Sequence, residues 1–292
     1  MPKTPLGVIG GSGAYHLLAA GTLGEEVDCR ILETPFGPSA PLHRFRAGEV
    51  EFVFLSRHGE TDYSITAPFV NYRANVYGLK ECGVERVMSW SGPGIINTAF
   101  RPGEFVLPHD VIDETRRRET TFFKNRGIGF IRQSHPFCPD LRSRLHDAFH
   151  LAGLPHHEES VYVCTEGPRL ESPAEIRKFR ILGGDLVGMT LVPEAFLARE
   201  LEMCYAPICY LTNYAEGVQA RSFREGALFE GMQTEDEMKD VERSVARFPE
   251  ILRIGLGGMG NEPWRCHCGE AMRRYKDKGM IGDDWRTWIG DV

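Results

Sequence analysis

Short apolar runs rich in β-branched and aromatic residues recur along this chain, and several end directly in glycine, serine, threonine, arginine or histidine. Amphipathic stretches of helical period lie between these runs, an alternation typical of an α/β sheet. In α/β proteins, ligands collect at the carboxyl ends of the strands, so polar residues repeated there indicate one shared site. The ends in question are IGGSG from Ile9, LSRHG from Leu55, SWSGPG from Ser89, GMT from Gly188 and LTN from Leu211.

The pattern predicts a single α/β domain with a central sheet flanked by helices over residues 1–256. Residues 257–292, rich in glycine and tryptophan, are predicted to form a tail that packs on or extends this domain. The stretch from about Gly217 to Thr234 is interpreted as a mobile or gating loop. The predicted strands are Leu6–Ile9, Glu51–Leu55, Arg86–Ser89, Glu104–Leu107, Ser160–Cys164, Leu186–Met189 and Tyr205–Leu211. The predicted helices are Phe69–Glu81, Pro139–Ala152, Pro173–Leu182, Val192–Leu201 and Glu235–Gly255.

Composition excludes several classes of partner. Hydrophobic residues make up 42% and charged residues 26% of the 292 residues, as in ordinary globular proteins. The net charge of -7 provides no basic field for nucleic acid or an anionic membrane. The start MPKTPLGVIGG has no signal-peptide pattern, and no apolar run is long enough to span a membrane. We therefore expect a cytoplasmic protein with no nucleic-acid or membrane partner.

The eight cysteines are expected to be reduced, since most stand singly inside apolar runs. The one cluster in the sequence is Cys266-His267-Cys268. It resembles half of a zinc site, but no second ligand pair follows at the spacing of a zinc ribbon. A disulfide within the C-x-C motif and free surface thiols are the alternatives, and free surface thiols are the preferred interpretation.

Three turns are suited to an anion, and each has an ordinary alternative. Gly10-Gly11-Ser12-Gly13 offers backbone amides and a hydroxyl to a phosphate, but a tight turn explains it too. The dinucleotide fingerprint is broken because His16 stands where it needs glycine, which disfavours a nicotinamide or flavin site. Arg57-His58-Gly59 suits phosphate or a surface ion pair, and Ser91-Gly92-Pro93-Gly94 suits an oxyanion or a plain turn.

Longer motifs carry a resemblance to a known family. They are GVIGGSG, LSRHG, VNYRANVYGLKECG, TEGPRLESPAEIRKFRILGGDLVGMTLVPEAFLARE and LTNYAEG. In this order, from about Leu6 to Gly255, they resemble the trimeric branch of the purine nucleoside phosphorylase and methylthioadenosine phosphorylase family. The resemblance implies a mixed central sheet and a homotrimer or a dimer of trimers. It also implies a reaction without metal or cofactor, in which inorganic phosphate is a co-substrate.

The family reaction is attack of phosphate on the anomeric carbon of a nucleoside as the bond to purine N9 breaks. Such a reaction needs an anion clamp on one side and stabilisation of the leaving base on the other. The resemblance assigns catalysis to Asn213, Ser12 and His58. By the same resemblance, phosphate is bound by Ser12, Arg57, His58, Ser91, Gly92 and Thr190, the purine by Leu170, Glu171, Asn213 and Ala215, and the ribose by Met189, Phe130, Glu235 and Met238, with Phe130 coming from a neighbouring subunit.

Glu171 and Asn213 decide which purine is expected. A 6-oxopurine presents an N1–H donor to a carboxylate, and acceptors at O6 and N7 to an amide, whereas adenine reverses this pattern at N1 and at its 6-substituent. Both residues match the 6-oxopurine members of the family. The alternative for Glu171 is a helix-start carboxylate, since ESPAEIRKF resembles an N-terminal capping sequence.

The expected activity is phosphorolysis of inosine or guanosine in purine salvage. Glu235 would suit a 5′-hydroxyl better than a methylthio group, unless it is a solvated acid at a helix start. The rival activities are those of an S-methyl-5′-thioinosine or methylthioadenosine phosphorylase, then a nucleoside hydrolase. A non-catalytic nucleoside-binding protein and a nicotinamide oxidoreductase remain as more distant alternatives.

The chain departs from the family pattern in two places. Family members usually carry a second histidine shortly after the R-H-G motif, where this chain has Glu60-Thr61-Asp62-Tyr63. Trp90 and Pro93 stand where small residues are typical. These departures bear on phosphate affinity and on the geometry of the Ser91 turn.

Overall fold

The computed structural model describes residues 5–220, 226–228, 233–257 and 264–290. Its strands form an eight-stranded sheet, a four-stranded sheet and a short hairpin. In chain order the strands are β1 (Leu6–Gly10), β2 (Glu25–Arg30), β3 (Glu33–Thr34), β4 (Gly37–Pro38), β5 (Leu42–Ala47), β6 (Val50–Ser56), β7 (Arg86–Ser91), β8 (Gly94–Ile95), β9 (Phe105–Val106), β10 (Asp110–Glu114), β11 (His156–His157), β12 (Val161–Thr165), β13 (Leu186–Gly188) and β14 (Cys204–Tyr210).

The helices pack against both sheets. They are α1 (Ala14–Ala19), α2 (Tyr72–Glu81), α3 (Pro139–Leu151), α4 (Pro173–Ile181), α5 (Leu191–Glu200), α6 (Glu235–Ala246), α7 (Phe248–Gly257) and α8 (Arg273–Asp277). Short 3-10 turns cover Ala67–Phe69, Cys268–Glu270 and Trp285–Trp288.

Both sheets are mixed. In the larger sheet, β1 lies between β6 and β7 and is parallel to both, while β14 continues the parallel set beyond β7. Antiparallel strands β5 and β2 extend one edge, and β9 pairs antiparallel with β14. In the smaller sheet β12 is parallel to β10 and β13, and β8 runs antiparallel to β13. The expected α/β fold with a central mixed sheet is confirmed.

Both faces of the larger sheet are buried, and alternation along β14 shows how. Tyr205 and Cys209 face the core on the side of α2 and α5, whereas Cys204, Ala206 and Ile208 face the core formed with α3 and α7. Successive side chains of a strand point to opposite faces, so a strand covered on both sides is apolar throughout. This explains why CYAPICY is one unbroken apolar run.

The predicted strands and helices are all present, with shifts at their ends. The predicted helix Glu235–Gly255 is two helices, α6 and α7, that meet at Arg247. Pro249 lies in the first turn of α7, where its missing N–H is harmless, whereas in one continuous helix it would remove a hydrogen bond. The edge strands β2 and β5 were not predicted because EEVDCR has no buried residue and LHRFRA carries charges on its open side.

The C-terminal segment 264–290 packs on the domain. Met272, Tyr275 and Trp288 are buried in the same core as α2 and α5. The guanidinium of Arg286 contacts both carboxylate oxygens of Glu81 on α2, at 2.6 and 2.7 Å. The segment is therefore integrated into the domain surface along most of its described length.

Cys266 and Cys268 are free thiols, as expected, but the interpretation that they lie at the surface is wrong. Cys268 is 3% exposed and Cys266 is half-buried. Both lie beside Cys138 and Cys204, which are remote in sequence. Burial follows because these two cysteines pack against the core that contains α3 and β14.

Two further features complete the fold. The predicted gating loop from Gly217 to Thr234 includes 221–225 and 229–232, which lie outside the described residues.

In the described part of the chain, no helix is long and apolar enough to cross a bilayer.

Candidate active site

The three glycine-containing turns predicted from the sequence meet at one edge of the larger sheet. The Arg57 amide donates to the Gly10 carbonyl at 3.1 Å, which joins the turn after β6 to the turn after β1. A side chain at Gly11 would place its Cβ 2.2 Å from the Trp90 carbonyl oxygen, so only glycine permits the approach of β7. Parallel neighbours that end together bring their polar termini into one place.

Arg57 is 1% exposed and forms a buried ion pair with Glu194 of α5, Nη1 to Oε1 at 3.2 Å. Its Nη2 donates to the Ile9 and Trp90 carbonyls at 3.3 and 3.2 Å. Burial opposes the charge, but the Glu194 carboxylate and the surrounding tyrosines together offset it, and the pKa of Arg57 is raised. The alternative of a surface ion pair is therefore wrong: Arg57 is a permanent buried cation beneath the turns.

His58 is buried and neutral. Its Nδ1 donates to the Ile65 carbonyl at 2.7 Å, which leaves Nε2 as the acceptor. Burial, and then the charge of Arg57, lower the pKa of His58 to about 3. An imidazole held this way offers a lone pair to a hydrogen-bond donor, such as a protonated phosphate oxygen or a hydroxyl.

Tyr63 lies beside His58, in the segment where family members usually carry a second histidine. The two rings stack with centroids 4.2 Å apart, and the Tyr63 hydroxyl lies 3.4 Å from His58 Nε2. The same hydroxyl is hydrogen-bonded to the Ser12 side chain. Tyr63 thus joins the first and second turns. The sequence did not identify Tyr63 as a site residue, because its position shortly after the R-H-G motif is the only feature that connects it with the site.

Ser91 and Thr190 are joined by Tyr162, another residue that the sequence did not reveal. The Tyr162 hydroxyl lies 3.2 Å from Ser91 Oγ and is also hydrogen-bonded to the Thr190 side chain. A Cβ at Gly188 would lie 1.9 Å from that hydroxyl oxygen. Glycine at the end of β13 therefore makes room for the ring, and the predicted phosphate ligands Ser91 and Thr190 become neighbours across the two sheets.

Gly92 is close to Tyr210, which also supports Ser12. A Cβ at Gly92 would lie 2.7 Å from the Tyr210 ring, and the Tyr210 hydroxyl donates to the Ser12 carbonyl at 3.1 Å. Trp90 packs in the core beside Tyr210 and Phe248, with ring centroids 5.1 and 3.8 Å away. The bulk of Trp90 thus fills the core and stays out of the anion turns.

Glu171 is 8% exposed and accepts a hydrogen bond from the Thr165 hydroxyl at 2.5 Å. Burial raises the pKa of this carboxyl, against the hydrogen bond from Thr165. The capping alternative is wrong, because the helix-start box of α4 is formed by Ser172 and Glu175. Glu171 precedes the cap and turns inward.

Asn213 follows β14 and is likewise buried. Its Oδ1 accepts from the Thr212 hydroxyl at 2.7 Å, and its Nδ2 donates to the Tyr214 carbonyl at 3.0 Å. The loop that holds it reaches α4, since a Cβ at Gly217 would lie 2.9 Å from Pro173, two residues after Glu171. The predicted purine residues are therefore supplied by adjoining segments, with Ala215 buried and Leu170 half-buried.

Met189, predicted under the ribose, packs against Gly167 and is held through its backbone by Arg118. Arg118 donates to the Met189 carbonyl and, at 3.1 Å, to the Thr165 carbonyl. Its side chain is 2% exposed. This arginine ties the ends of β12 and β13 together, a role that the run RRR at 116–118 did not disclose.

Among the residues that the structure describes, no hydrogen bond or ring contact joins the remaining ribose residues to this group. Glu235 is exposed in the first turn of α6, and Met238 is half-buried one turn later. Phe130 is 86% exposed, and its backbone amide donates to the Tyr275 hydroxyl at 2.8 Å. Their roles at the 5′ end of the sugar stay predictions.

Together these residues can bind an anion and a polar ring side by side. Hydroxyls and amides from four strand ends surround a buried guanidinium, as an anion clamp requires. A buried carboxylate and a buried amide occupy the adjoining segments, as recognition of a ring with both donors and acceptors requires.

Comparison with known proteins gives relatives over nearly the whole chain. The profile of the Phosphorylase superfamily matches residues 5–253. The 6-oxopurine nucleoside phosphorylase of Pyrococcus furiosus is 40% identical over 264 residues, 87% of this chain and 96% of that protein. A probable S-methyl-5′-thioinosine phosphorylase of Methanothermobacter thermautotrophicus is 40% identical over 268 residues, 92% of this chain and 89% of that protein.

Solved structures agree on the fold. A methylthioadenosine phosphorylase from an antarctic soil metagenomic library superposes with a TM-score of 0.83 at 26% identity, covering 99% of this chain and 98% of that one. Methylthioadenosine phosphorylase from Schistosoma mansoni in complex with tubercidin gives 0.78 at 27% identity, covering 98% and 97%.

Proposed function

Since this chain belongs to the phosphorylase superfamily, we propose that it cleaves 6-oxopurine nucleosides, inosine or guanosine, with orthophosphate. The products are the free purine and ribose 1-phosphate, and the role is purine salvage. The relatives named as 6-oxopurine nucleoside phosphorylases support the base preference.

The single observation that carries the base preference is the buried carboxylate of Glu171, held by Thr165. A carboxylate accepts the N1–H of a 6-oxopurine, whereas the N1 lone pair of adenine would face it without a proton. Leaving such a pair unsatisfied in a buried site costs about 1–3 kcal/mol. The Asn213 amide, next in the adjoining loop, is proposed to donate to N7 or O6.

In the proposed reaction, phosphate attacks the anomeric carbon while the bond to N9 breaks. Ser12, Ser91, Thr190 and the Gly92 amide are proposed to hold the phosphate by hydrogen bonds above the buried charge of Arg57. The bond to the base carries its electron pair onto the purine, and a donor from Asn213 at N7 stabilises that charge. His58, neutral with its lone pair at Nε2, is proposed to accept a hydrogen bond from a protonated phosphate oxygen or from a sugar hydroxyl and so to orient it.

At the 5′ end of the sugar we propose a preference for a hydroxyl over a methylthio group, with Glu235 as its acceptor. S-methyl-5′-thioinosine is the second candidate substrate, because relatives at the same identity carry that name. The two activities share the base and phosphate sites and differ only in the group at C5′.

We propose a homotrimer or a dimer of trimers, in which Phe130 reaches the ribose site of a neighbouring subunit. An 86% exposed phenyl ring beside a cavity of about 370 Å³ supports a subunit contact there. We also propose a cytoplasmic location, which the eight free cysteines support.

The test is release of the free base from inosine, guanosine, S-methyl-5′-thioinosine, adenosine and methylthioadenosine, each with and without orthophosphate. We expect hypoxanthine or guanine only when phosphate is present, with an equal amount of ribose 1-phosphate. Release without phosphate would identify a hydrolase, and binding without turnover would identify a nucleoside-binding protein.

A further inference from the structure

Four cysteines that are far apart in sequence meet in one place. We call Cys138, Cys204, Cys266 and Cys268 the cysteine cluster. All four Sγ atoms lie within 4.8 Å of one another, and those of Cys204 and Cys266 are 3.5 Å apart. All four are free thiols, and three of them are buried.

Each cysteine is placed by a separate element. Cys138 is the N-cap of α3, where its Sγ accepts from the Leu141 amide at 3.4 Å. Cys204 is the first residue of β14. Cys266 and Cys268 flank His267, whose side chain is 85% exposed and points away from the cluster toward Glu270.

Two positively charged groups lie beside the cysteine cluster. Arg199 Nη1 donates to Cys268 Sγ at 3.2 Å. The N-terminus of α3 presents its amides and positive dipole end to Cys138. Asp140 of α3 fixes the approaching segment, because its Oδ2 accepts from the Arg265 amide and, at 3.2 Å, from the Cys266 amide.

We propose that the cysteine cluster binds one zinc ion as a closed tetrathiolate site. With Zn–S bonds of about 2.3 Å, the sulfurs of a tetrahedral site are about 3.8 Å apart. This value lies between the 3.5 Å that separates Cys204 from Cys266 and the 4.8 Å within which all four sulfurs lie. As Zn²⁺ binds, the four thiols release their protons to solvent, and the site carries two negative charges. The Arg199 guanidinium and the α3 N-terminus partly neutralise these charges, and the Leu141 amide supports one sulfur as a second-shell donor.

The proposed metal is structural. Cys204 begins β14, and Asn213 follows the other end of that strand, so about 20 Å separates the cluster from the proposed purine site. No open position remains for substrate, since four protein ligands complete the coordination of zinc. Through Cys266 and Cys268, the ion would hold the C-terminal segment against the starts of α3 and β14.

The experiment is metal analysis of the full-length protein purified without chelator. We expect one zinc per chain by plasma mass spectrometry and, after exchange with Co²⁺, the visible absorption bands of a tetrahedral tetrathiolate. Cys268→Ser should reduce zinc to well below one per chain, whereas the matched variant Cys82→Ser, in a half-buried cysteine outside the cluster, should retain it.

The wild-type measurement keeps the proposal falsifiable if Cys268→Ser does not fold. Thiol counting on the denatured, metal-free protein should give all eight cysteines. Four fewer reactive thiols, with an intact mass lower by the hydrogens of two disulfides, would overturn the proposal in favour of a disulfide pair. Eight thiols in a protein that takes up neither zinc nor Co²⁺ would overturn it in favour of a thiol cluster without metal.

Discussion

The Thr165 hydroxyl donates a 2.5 Å hydrogen bond to Glu171, and this contact turns the carboxylate away from the helix cap and into the protein. Two other residues, Ser172 and Glu175, perform the capping that the sequence ESPAE suggests. Glu171 therefore has no capping task at the helix start, and its buried carboxylate is free to accept a hydrogen bond from a ligand, as the proposed function requires.

Replacing Glu171 tests that role. We expect Glu171→Gln to lower kcat/KM for inosine by roughly 10- to 100-fold, because a buried charge-assisted hydrogen bond is worth about 1–3 kcal/mol. Glu175→Gln, in the capping box four residues later, should lower Tm but leave the KM for inosine unchanged. Equal losses of kcat/KM in both variants would assign Glu171 a structural role instead. Steady-state kinetics on folded protein decide between them.

Tyr63 is expected to act on phosphate through His58 and Ser12. Removal of its hydroxyl in Tyr63→Phe should raise the KM for phosphate by about 2- to 10-fold, the equivalent of one hydrogen bond, with the KM for inosine unchanged. Tyr77→Phe is the control, since Tyr77 packs on Trp285 of the C-terminal segment. A change confined to the nucleoside KM would show that Tyr63 does not serve the phosphate turns.

The sequence predicted the turns of this site but not the residues that hold them together. Polar strand ends such as LSRHG are local patterns, and parallel strands bring them to one edge. Tyr162, by contrast, lies within an apolar strand, so its position in the sequence predicts an ordinary core residue. Its function depends on the missing side chain at Gly188, which only a three-dimensional contact reveals.

The same limit applies to the cysteines and the arginines. Cys266 and Cys268 form a visible pair in the sequence, but the cysteines beside them, Cys138 and Cys204, lie 128 and 62 residues before Cys266, far outside the spacing of a zinc ribbon. Arg118 stands in a run of three arginines that suggests a solvated surface. The tertiary fold buries only that one against the strand ends.

Gly188 should tolerate no side chain. In Gly188→Ala the new Cβ would lie 1.9 Å from the Tyr162 hydroxyl and displace it from Ser91 and Thr190. We expect a loss of about 1–3 kcal/mol of stability and a raised KM for phosphate. Gly282→Ala, where no atom lies within 4 Å of the added Cβ, should change neither quantity. Unaltered phosphate kinetics in Gly188→Ala would separate Tyr162 from phosphate binding.

His58 should make stability depend on pH. Its folded pKa of about 3 lies below the ordinary 6.5, so between these values the unfolded chain binds a proton that the folded chain does not. The free energy of unfolding therefore falls as pH decreases, by about 1.4 kcal/mol per pH unit from this residue.

The measurement is denaturant unfolding of wild type and His58→Gln at pH 6 and pH 4, at one protein concentration. The pH dependence common to other groups cancels in the comparison, and wild type should lose about 1–3 kcal/mol more than the variant on acidification. Parallel losses in the two proteins would show that His58 is protonated in the folded state at pH 4.

The most direct test of the proposed function is a competition assay with equal concentrations of inosine and adenosine in the presence of orthophosphate. We expect hypoxanthine to form at least about 100-fold faster than adenine, since two mismatches at Glu171 and Asn213 each cost about 1–3 kcal/mol. Ribose 1-phosphate and hypoxanthine should form in equal amounts, and neither should form when phosphate is omitted. Faster release of adenine, or release of base without phosphate, would contradict the account.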